Sequence, residues 1–393
     1  MKIFILLSRM PYPLEKGDKL RAFQQIKALS QKHDIHLFAL NPGQLHPDAL
    51  EHLKPYCKSI KVVMLSRMHI FLNLLYTVFR RLPFQVGYFY SPSIAYKIRE
   101  KIKQVNPDVI FCQLVRVAEY VKDIKDIPRI IDYQDVFSRG MEQRAEKAFF
   151  VLRPFLNFEA RLLKKYENKV FDWFDERIII SGQDRSHIPH PDRERIRIVP
   201  NSIDRSKFQP AAGVKDTDLL FVGNMNYEPN IDCAVYLVRE ILPLVRKQLP
   251  GLKLEIAGAD PSYRVTSMAS ESVKITGWVN NMSRTYAKAK VFCAPMRMGT
   301  GLQNKLLEAM AMKVPCVTTS LCNNALRAEP GKSILIGDEP QSFADHIVTL
   351  LKDENKAAVI AENAYHFILE HYDSEVIGRL LENLLDGVKN KKA

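Results

Sequence analysis

Several protein classes are excluded by what this chain lacks. Its six cysteines, Cys57, Cys112, Cys233, Cys293, Cys316 and Cys322, form no C-x-x-C pair, so the spacing of a thiolate metal site is missing. Cys112, Cys293 and Cys316 lie in apolar runs and read as small buried hydrophobes. A reducing compartment is the simpler expectation. Long hydrophobic runs are missing too. The longest, Met68 to Phe79, covers 12 residues, against the ~20 that a membrane-spanning helix needs. The apolar stretch before Arg9 is too short for the core of a secretion signal. The expected location is therefore cytoplasmic, either free or peripheral on the cytoplasmic face of a membrane. Neither G-x-x-x-x-G-K-[ST] nor a G-x-G-x-x-G with its distal acidic residue occurs. ATPase and dinucleotide-oxidoreductase chemistry lose ground accordingly.

What is present begins with charge. The 393 residues carry 57 Lys+Arg against 44 Asp+Glu, a formal net charge of +13. Residues 1–200 hold 34 basic and 22 acidic residues, and residues 201–393 hold 23 and 22. Almost the whole excess sits in the first half, so an electrostatic partner should meet that half. The length suggests two or three domains.

Short apolar runs alternate with helical patterns along the chain. Strands are expected at Lys2–Leu7, Ile35–Leu40, Ser59–Leu65, Asp108–Gln113, Arg129–Asp132, Glu176–Ile180 and Ile196–Val199. Helices are expected after Gly17, with Asp18 as N-cap, and over Pro92–Val105. A Pro/Asn/Ser-rich stretch from Val199 to Gly213 reads as a linker. Alternation then resumes with strands at Leu219–Val222, Leu252–Ala257, Val273–Thr276, Val291–Ala294 and Cys316–Thr318. Helices are expected at Ile231–Leu249, Met282–Ala289, Gly301–Met312 and Gln341–Asp353. The fold class is α/β, with two doubly wound parallel-sheet domains facing across a cleft. The expected division is 1–204, 205–370, and a terminal helix at 371–393 packing back toward the first domain. In such sheets ligands bind outside the carboxyl ends of the strands.

The strongest chemical signal follows the strand ending at Ala294. Gly299 and Gly301 open a helix carrying Lys305 and Glu308. Glycine lets backbone approach a ligand closely, and the first amides of a helix suit an anion, most naturally a diphosphate. Lys305 can reach the same anion. Glu308, three residues on, lies on the same face and suits ribose hydroxyls. A plain surface pair beside a strand-to-helix turn would show the same spacing. Gly223 and Asn224, in Phe221 to Asn230, form a second strand-glycine-helix junction. Gly17, in Gly17-Asp18-Lys19-x-Arg21, forms a third.

Together these segments resemble the retaining family 4 glycosyltransferases, of GT-B fold and bacterial cell-surface glycan type. The resemblance rests on Phe221-Val222-Gly223 with Tyr227-x-Pro229-Asn230, on Ala257-Gly258 and on Ile275-x-Gly277-Trp278-Val279. It rests further on Pro295-x-Arg297-x-Gly299-x-Gly301-x-x-x-Lys305-x-x-Glu308-Ala309-Met310-Ala311, and on the linker Val199-Pro200-Asn201-Ser202-Ile203-Asp204. It implies an enzyme that transfers a sugar from a nucleoside diphosphate donor, UDP or GDP, with retention and without a metal or other cofactor. The acceptor would be a glycan or a lipid-linked glycan. Glu308 matches the second glutamate of the family's E-x7-E motif and would take the ribose. Lys305, Arg297 and the amides near Gly301 would take the diphosphate. Gly277, Trp278 and Val279 would lie against the base, and Gly17 would approach the donor from the N-terminal domain. The first glutamate of the motif falls at Thr300, so sugar contacts must come from Thr300, Gly301 and Leu302. The loop from Asn224 to Asn230 lacks the basic residues that many members carry, and Lys305 and Arg297 are the expected replacements. Asp135, in Asp132-Tyr133-Gln134-Asp135, is the candidate for orienting acceptor or sugar.

Two basic stretches, Arg67 to Arg81 and Arg139 to Lys169, interleave aromatic residues with arginine and lysine. That pattern suits an anionic membrane interface, and equally a core-covering helix with a solvated basic face. No nucleic-acid recognition module is present. Competing readings are a nucleotide-sugar 2-epimerase of the same fold and a non-catalytic module binding sugar nucleotides or anionic lipids.

Overall fold

The computed structural model describes residues 1–14, 16–211, 213–299 and 301–390. The chain divides into two units. One comprises Met1–Asn201 with the last helix from Ile377 onward, and the other Ser202–Val376.

The first unit is built on seven strands. They are β1 (Lys2–Leu7), β2 (Asp34–Pro42), β3 (Ser59–Leu65), β4 (Val109–Gln113), β5 (Arg129–Asp132), β6 (Glu176–Ile179) and β7 (Arg197–Ile198). Their order across the sheet is β3-β2-β1-β4-β5-β6-β7, and every pairing is parallel. Successive side chains of a strand point to opposite faces. Phe4 and Leu6 accordingly enter one buried cluster, while Ile3, Ile5 and Leu7 enter another. The sheet is covered on both faces, which is why β1 reads as an unbroken apolar run. The final helix, Ser374–Asn390, contributes Ile377, Leu381, Leu384, Leu385 and Val388 to the second of these cores.

The second unit holds β8 (Thr217–Val222), β9 (Leu254–Ala257), β10 (Val273–Gly277), β11 (Ala289–Ala294), β12 (Cys316–Thr318) and β13 (Leu335–Ile336). Their order is β10-β9-β8-β11-β12-β13, again parallel. The order reverses direction beside β8, placing a switch point between β8 and β11. Ile203 donates its amide to the Tyr372 carbonyl at 2.8 Å, so the start and end of this unit lie together.

Three local expectations need correction. Asp18 is not an N-cap: the helix runs Gly17–Leu29, Lys16 precedes it, and the Asp18 carboxylate accepts from Arg9 at 3.2 Å. The helix expected at Ile231–Leu249 is three pieces, Glu228–Tyr236, a π-helical turn at Leu237–Ile241, and Leu242–Gln248. Pro243 lacks the amide that a continuous α-helix would need there. The helix expected from Gly301 begins at Asn304 and ends at Ala311. Gly299 and Gly301 sit at φ +105° and +82°, outside the helical region, so loop persists to Gln303.

Candidate active site

The carboxyl ends of β8 and β11 meet two loops held in place by glycine. Gly258, at φ +142°, follows β9, and a Cβ there would stand 1.7 Å from the Gly223 carbonyl oxygen. The amide of Gly223 donates to Ala257 O at 3.0 Å and that of Gly258 to Gly277 O at 2.9 Å. The loop after β8 is thus stitched across to β9 and β10. Asn224 shapes it further. Its Oδ1 accepts from the Asn226 amide at 2.9 Å, and its carbonyl accepts from Asn230 Nδ2 at 2.9 Å.

Asn230 links this loop to Lys305. Lys305 Nζ donates to Asn230 Oδ1 at 2.5 Å, lies 3.8 Å from Met296 Sδ, and stands 4.9 Å from the Phe221 ring centroid. Burial pulls its pKa below the usual lysine value. An ammonium has three donors. Here, among the described residues, one strong oxygen acceptor and one weak thioether are provided. The site holds a cation whose hydrogen bonding is incomplete, with a π face beneath it.

Glu308 lies one helical turn beyond Lys305. Tyr286 OH donates to Glu308 Oε2 at 2.8 Å. Burial raises the Glu308 pKa to about 7, against the lowering effects of Tyr286 and Lys305. No protein donor meets Oε1 among the described residues. Tyr286, fully buried on the short helix Met282–Ala287, escapes a sequence reading because it lies 22 positions away.

Arg297 has a partner of its own. Its Nε and Nη2 bind the Asp232 carboxylate at 3.2 and 2.7 Å, and its guanidinium lies 4.0 Å from the Tyr236 ring centroid. Lys305 and Arg297 therefore grip the same helix, Glu228–Tyr236, through Asn230 and Asp232. Trp278 is 61% exposed and donates to Asn280 Oδ1 at 2.9 Å. It follows Gly277, at φ +66°, where the pairing of β10 with β9 slips by a bulge. Val279 is half-buried, and Leu302 is buried. Thr300 lies outside the described residues. Among those described, no group of three or more His, Cys, Asp or Glu side chains is arranged to hold a metal ion.

The first unit assembles a separate polar cluster at the ends of β4, β5 and β6. Asp132 is buried and accepts from Arg21 Nε at 2.6 Å, Arg21 Nη2 at 3.0 Å and Gln25 at 2.7 Å. That ion pair fixes the helix Gly17–Leu29, and hence Gly17, onto the sheet. Asp135, three residues on, has no such partner: its Oδ1 is buried without a hydrogen bond. Desolvation, then the nearby Asp184 carboxylate, lift its pKa to about 7, and Arg116 opposes them. Asp184 itself is raised to about 6 by burial, partly offset by its hydrogen bond from Ser181. Leu114 and Gln134, at φ +66° and +62°, follow β4 and β5. Left-handed backbone at non-glycine residues costs about 1–3 kcal/mol and collects at working sites. Asp184 and Arg116 carry no motif and are brought to Asp135 only by the sheet.

Comparison with known proteins accords with both halves. Residues 21–207 match the model described as Glycosyltransferase Family 4, and residues 216–353 match that described as Glycosyl transferases group 1. Sucrose-phosphate synthase from Thermosynechococcus elongatus superimposes with a TM-score of 0.71 at 14% identity, covering 100% of both chains. HepE of Anabaena, solved in complex with UDP, gives 0.70 at 15% identity over 98% of this chain and 100% of that one. An "uncharacterized 44.6 kDa protein in cps region" of Klebsiella pneumoniae is 23% identical over 96% of this chain and 97% of its own. The architecture is GT-B. The chain is a glycosyltransferase, with a Family 4 domain over residues 21–207 and a group 1 domain over residues 216–353.

Proposed function

We propose that this glycosyltransferase takes its sugar from a nucleoside diphosphate donor, UDP or GDP, held by the second unit. The Lys305–Glu308 pair, one turn apart at the end of β11, carries the proposal. Breaking the bond between the sugar carbon and the phosphate oxygen leaves the electron pair on the diphosphate. Lys305 is placed to oppose that charge, and a fixed cation in a dry site is worth more than one in water. Glu308, with one oxygen held by Tyr286, offers the other to the ribose hydroxyls. Trp278 and Val279 would lie against the base, and the loop at Gly299, Gly301 and Leu302 against phosphate and sugar. Arg297 would contribute only by leaving Asp232. No metal is required where Lys305 meets the diphosphate. Transfer with retention follows if the leaving phosphate oxygen accepts the proton of the incoming hydroxyl on the same face.

The first unit would hold the acceptor, a glycan or lipid-linked glycan. Asp135 would orient the hydroxyl, and Gly17 allows close backbone approach. The Klebsiella relative's place in a cps region favours polysaccharide synthesis. UDP in the Anabaena structure favours a uridine donor. A panel of UDP-, GDP- and ADP-sugars scored by thermal shift tests the donor class. Stabilisation by one nucleotide series supports it, and silence across all three removes it.

The same unit would dock on an anionic membrane surface. The helix Arg67–Arg80 exposes Met68, Phe71, Leu72, Leu75, Val78 and Phe79. Phe149 to Leu152, Phe155 and Phe158 form a second exposed apolar set. The two sets flank the segment at Phe84: its ring lies 5.3 Å from that of Phe155, and its amide donates to Glu159 at 2.9 Å. Exposed large apolar side chains in such number mark interaction surfaces, and the arginines at 67, 80, 81, 153 and 161 suit anionic headgroups. No helix of the described residues is long and apolar enough to cross a membrane.

A further inference from the structure

A pocket of about 390 Å³ opens in the first unit, beyond the carboxyl ends of β5 and β6. Its volume falls within the ~300–1,000 Å³ range of small-molecule sites. Ser138, Arg139, Glu142, Lys164, His187 and Arg193 line it. They come from three helices, Phe137–Lys147, Arg153–Trp173 and Gly182–His187, and from the turn at Arg193–Arg195.

The charges in this pocket do not cancel. Arg139 donates to Glu142 at 3.2 Å and lies 3.9 Å from Glu146. Its Nε is nevertheless buried without an acceptor among the described residues. Neither Lys164 nor Arg193 has a side-chain partner among the described residues. Arg139 is thus offset by its carboxylates, while the exposed Lys164 and Arg193 bring two positive charges with no side-chain partner among the described residues. Cations gathered in a concavity focus the field and draw in an anion. Two uncompensated charges match a dianion better than a single carboxylate. An arginine fork beside a lysine point charge suits phosphate oxygens in particular. Burial, with Arg139 and Arg193 nearby, holds His187 below its usual pKa, against Glu142. Its ring can therefore stay neutral and donate one N–H without adding fixed charge.

We infer that this pocket binds a phosphate or diphosphate ester. The anion site stands on the pocket's own residues; its service as the subsite for the acceptor's charged end rests on the glycosyl-transfer reading. A phosphate there would tie the acceptor down several residues from Asp135, which precedes the helix carrying Ser138 and Arg139.

Calorimetric titration of the full chain with inorganic pyrophosphate, at fixed ionic strength, tests the site. Lys164→Ala/Arg193→Ala is expected to weaken binding by about tenfold or more, through lost charge-assisted hydrogen bonds. Lys97→Ala/Lys125→Ala removes the same charge from equally exposed positions that do not line the pocket and is expected to change affinity less than about twofold. Equal weakening by the two double variants, or no weakening by the first, overturns the inference. Phosphatidylcholine vesicles with and without phosphatidate identify the source. Phosphatidate-dependent sedimentation lost in the pocket variant assigns the phosphate to a lipid. Pyrophosphate binding without sedimentation assigns it to a soluble ester. Both outcomes support the site. A chain that binds UDP normally yet shows no variant-sensitive pyrophosphate binding loses this pocket and keeps its donor site.

Discussion

Lys305 Nζ donates to Asn230 Oδ1 at 2.5 Å, joining two helices through residues 75 positions apart in the chain. That bond holds an ammonium beneath the end of β8 with hydrogen-bonding capacity to spare. Asn230→Ala is expected to leave Lys305 without its oxygen acceptor. Stability should fall by about 1–3 kcal/mol, read as a lower urea midpoint. Asn230→Asp, which keeps the acceptor and adds charge, should retain the fold but repel a diphosphate. Unchanged nucleotide affinity in the aspartate variant would contradict the placement.

Glu308 links pH to both stability and donor binding. Its pKa rises from 4.5 to about 7 on folding, so the folded state binds more protons across that interval. Its contribution is present below pH 4.5 and is lost as pH climbs through about 7. In the proposed donor site, by contrast, the ribose would need the ionised carboxylate. Donor affinity should therefore rise between pH 6 and 8, and Glu308→Gln should flatten both profiles. A glutamine variant with the wild-type pH dependence of nucleotide affinity would remove Glu308 from the donor site.

How much of this was legible beforehand differs by element. Expected and observed limits coincide at Ser59–Leu65, Arg129–Asp132, Cys316–Thr318 and the helix Pro92–Val105. Arg129–Asp132 and Cys316–Thr318 are short buried runs, Ser59–Leu65 an apolar run that is mostly half-buried, and Pro92 marks a helix start. Boundaries failed where backbone conformation depends on distant partners. Gly299 and Gly301, at positive φ, lie outside the helix, which starts only at Asn304. The π turn at Leu237–Ile241 has no local signal beyond Pro243. In the site, Lys305 and Glu308 were readable from spacing. Tyr286 and Asp232, which decide what that carboxylate and Arg297 do, come from other helices and carried no signal; Asn230 stood in a quoted motif, but its bond to Lys305 could not be read.

Gly258 tests the packing that supports the donor loop. A methyl group at this position would meet the Gly223 carbonyl at 1.7 Å, a backbone atom that cannot rotate aside. Gly258→Ala is expected to cost at least about 2 kcal/mol and to abolish nucleotide binding. Gly17→Ala, with nothing within 4 Å of its added carbon, should fold normally.

Asp135 separates chemistry from donor affinity. Asp135→Asn should lower kcat by at least about tenfold and remove an ionisation near pH 7 from the rate profile. UDP affinity should stay within about twofold of the parent, since the residues proposed for the donor lie in the second unit. An equal loss of nucleotide affinity would mean that Asp135 serves structure, not the acceptor.

The exposed aromatics make a parallel claim about surfaces. Phe79 is 87% and Phe149 70% exposed. Replacing both by serine should reduce retention on anionic vesicles by about tenfold, with no change in melting temperature. Equal wild-type retention on neutral vesicles, or none on anionic ones, would end the membrane reading.

The most direct test of the whole account is calorimetric titration of a UDP- or GDP-sugar into the chain and into Lys305→Ala. The account expects saturable binding by the parent and affinity lower by about tenfold or more in the variant, with its melting profile retained. Identical affinity in the two proteins would contradict it.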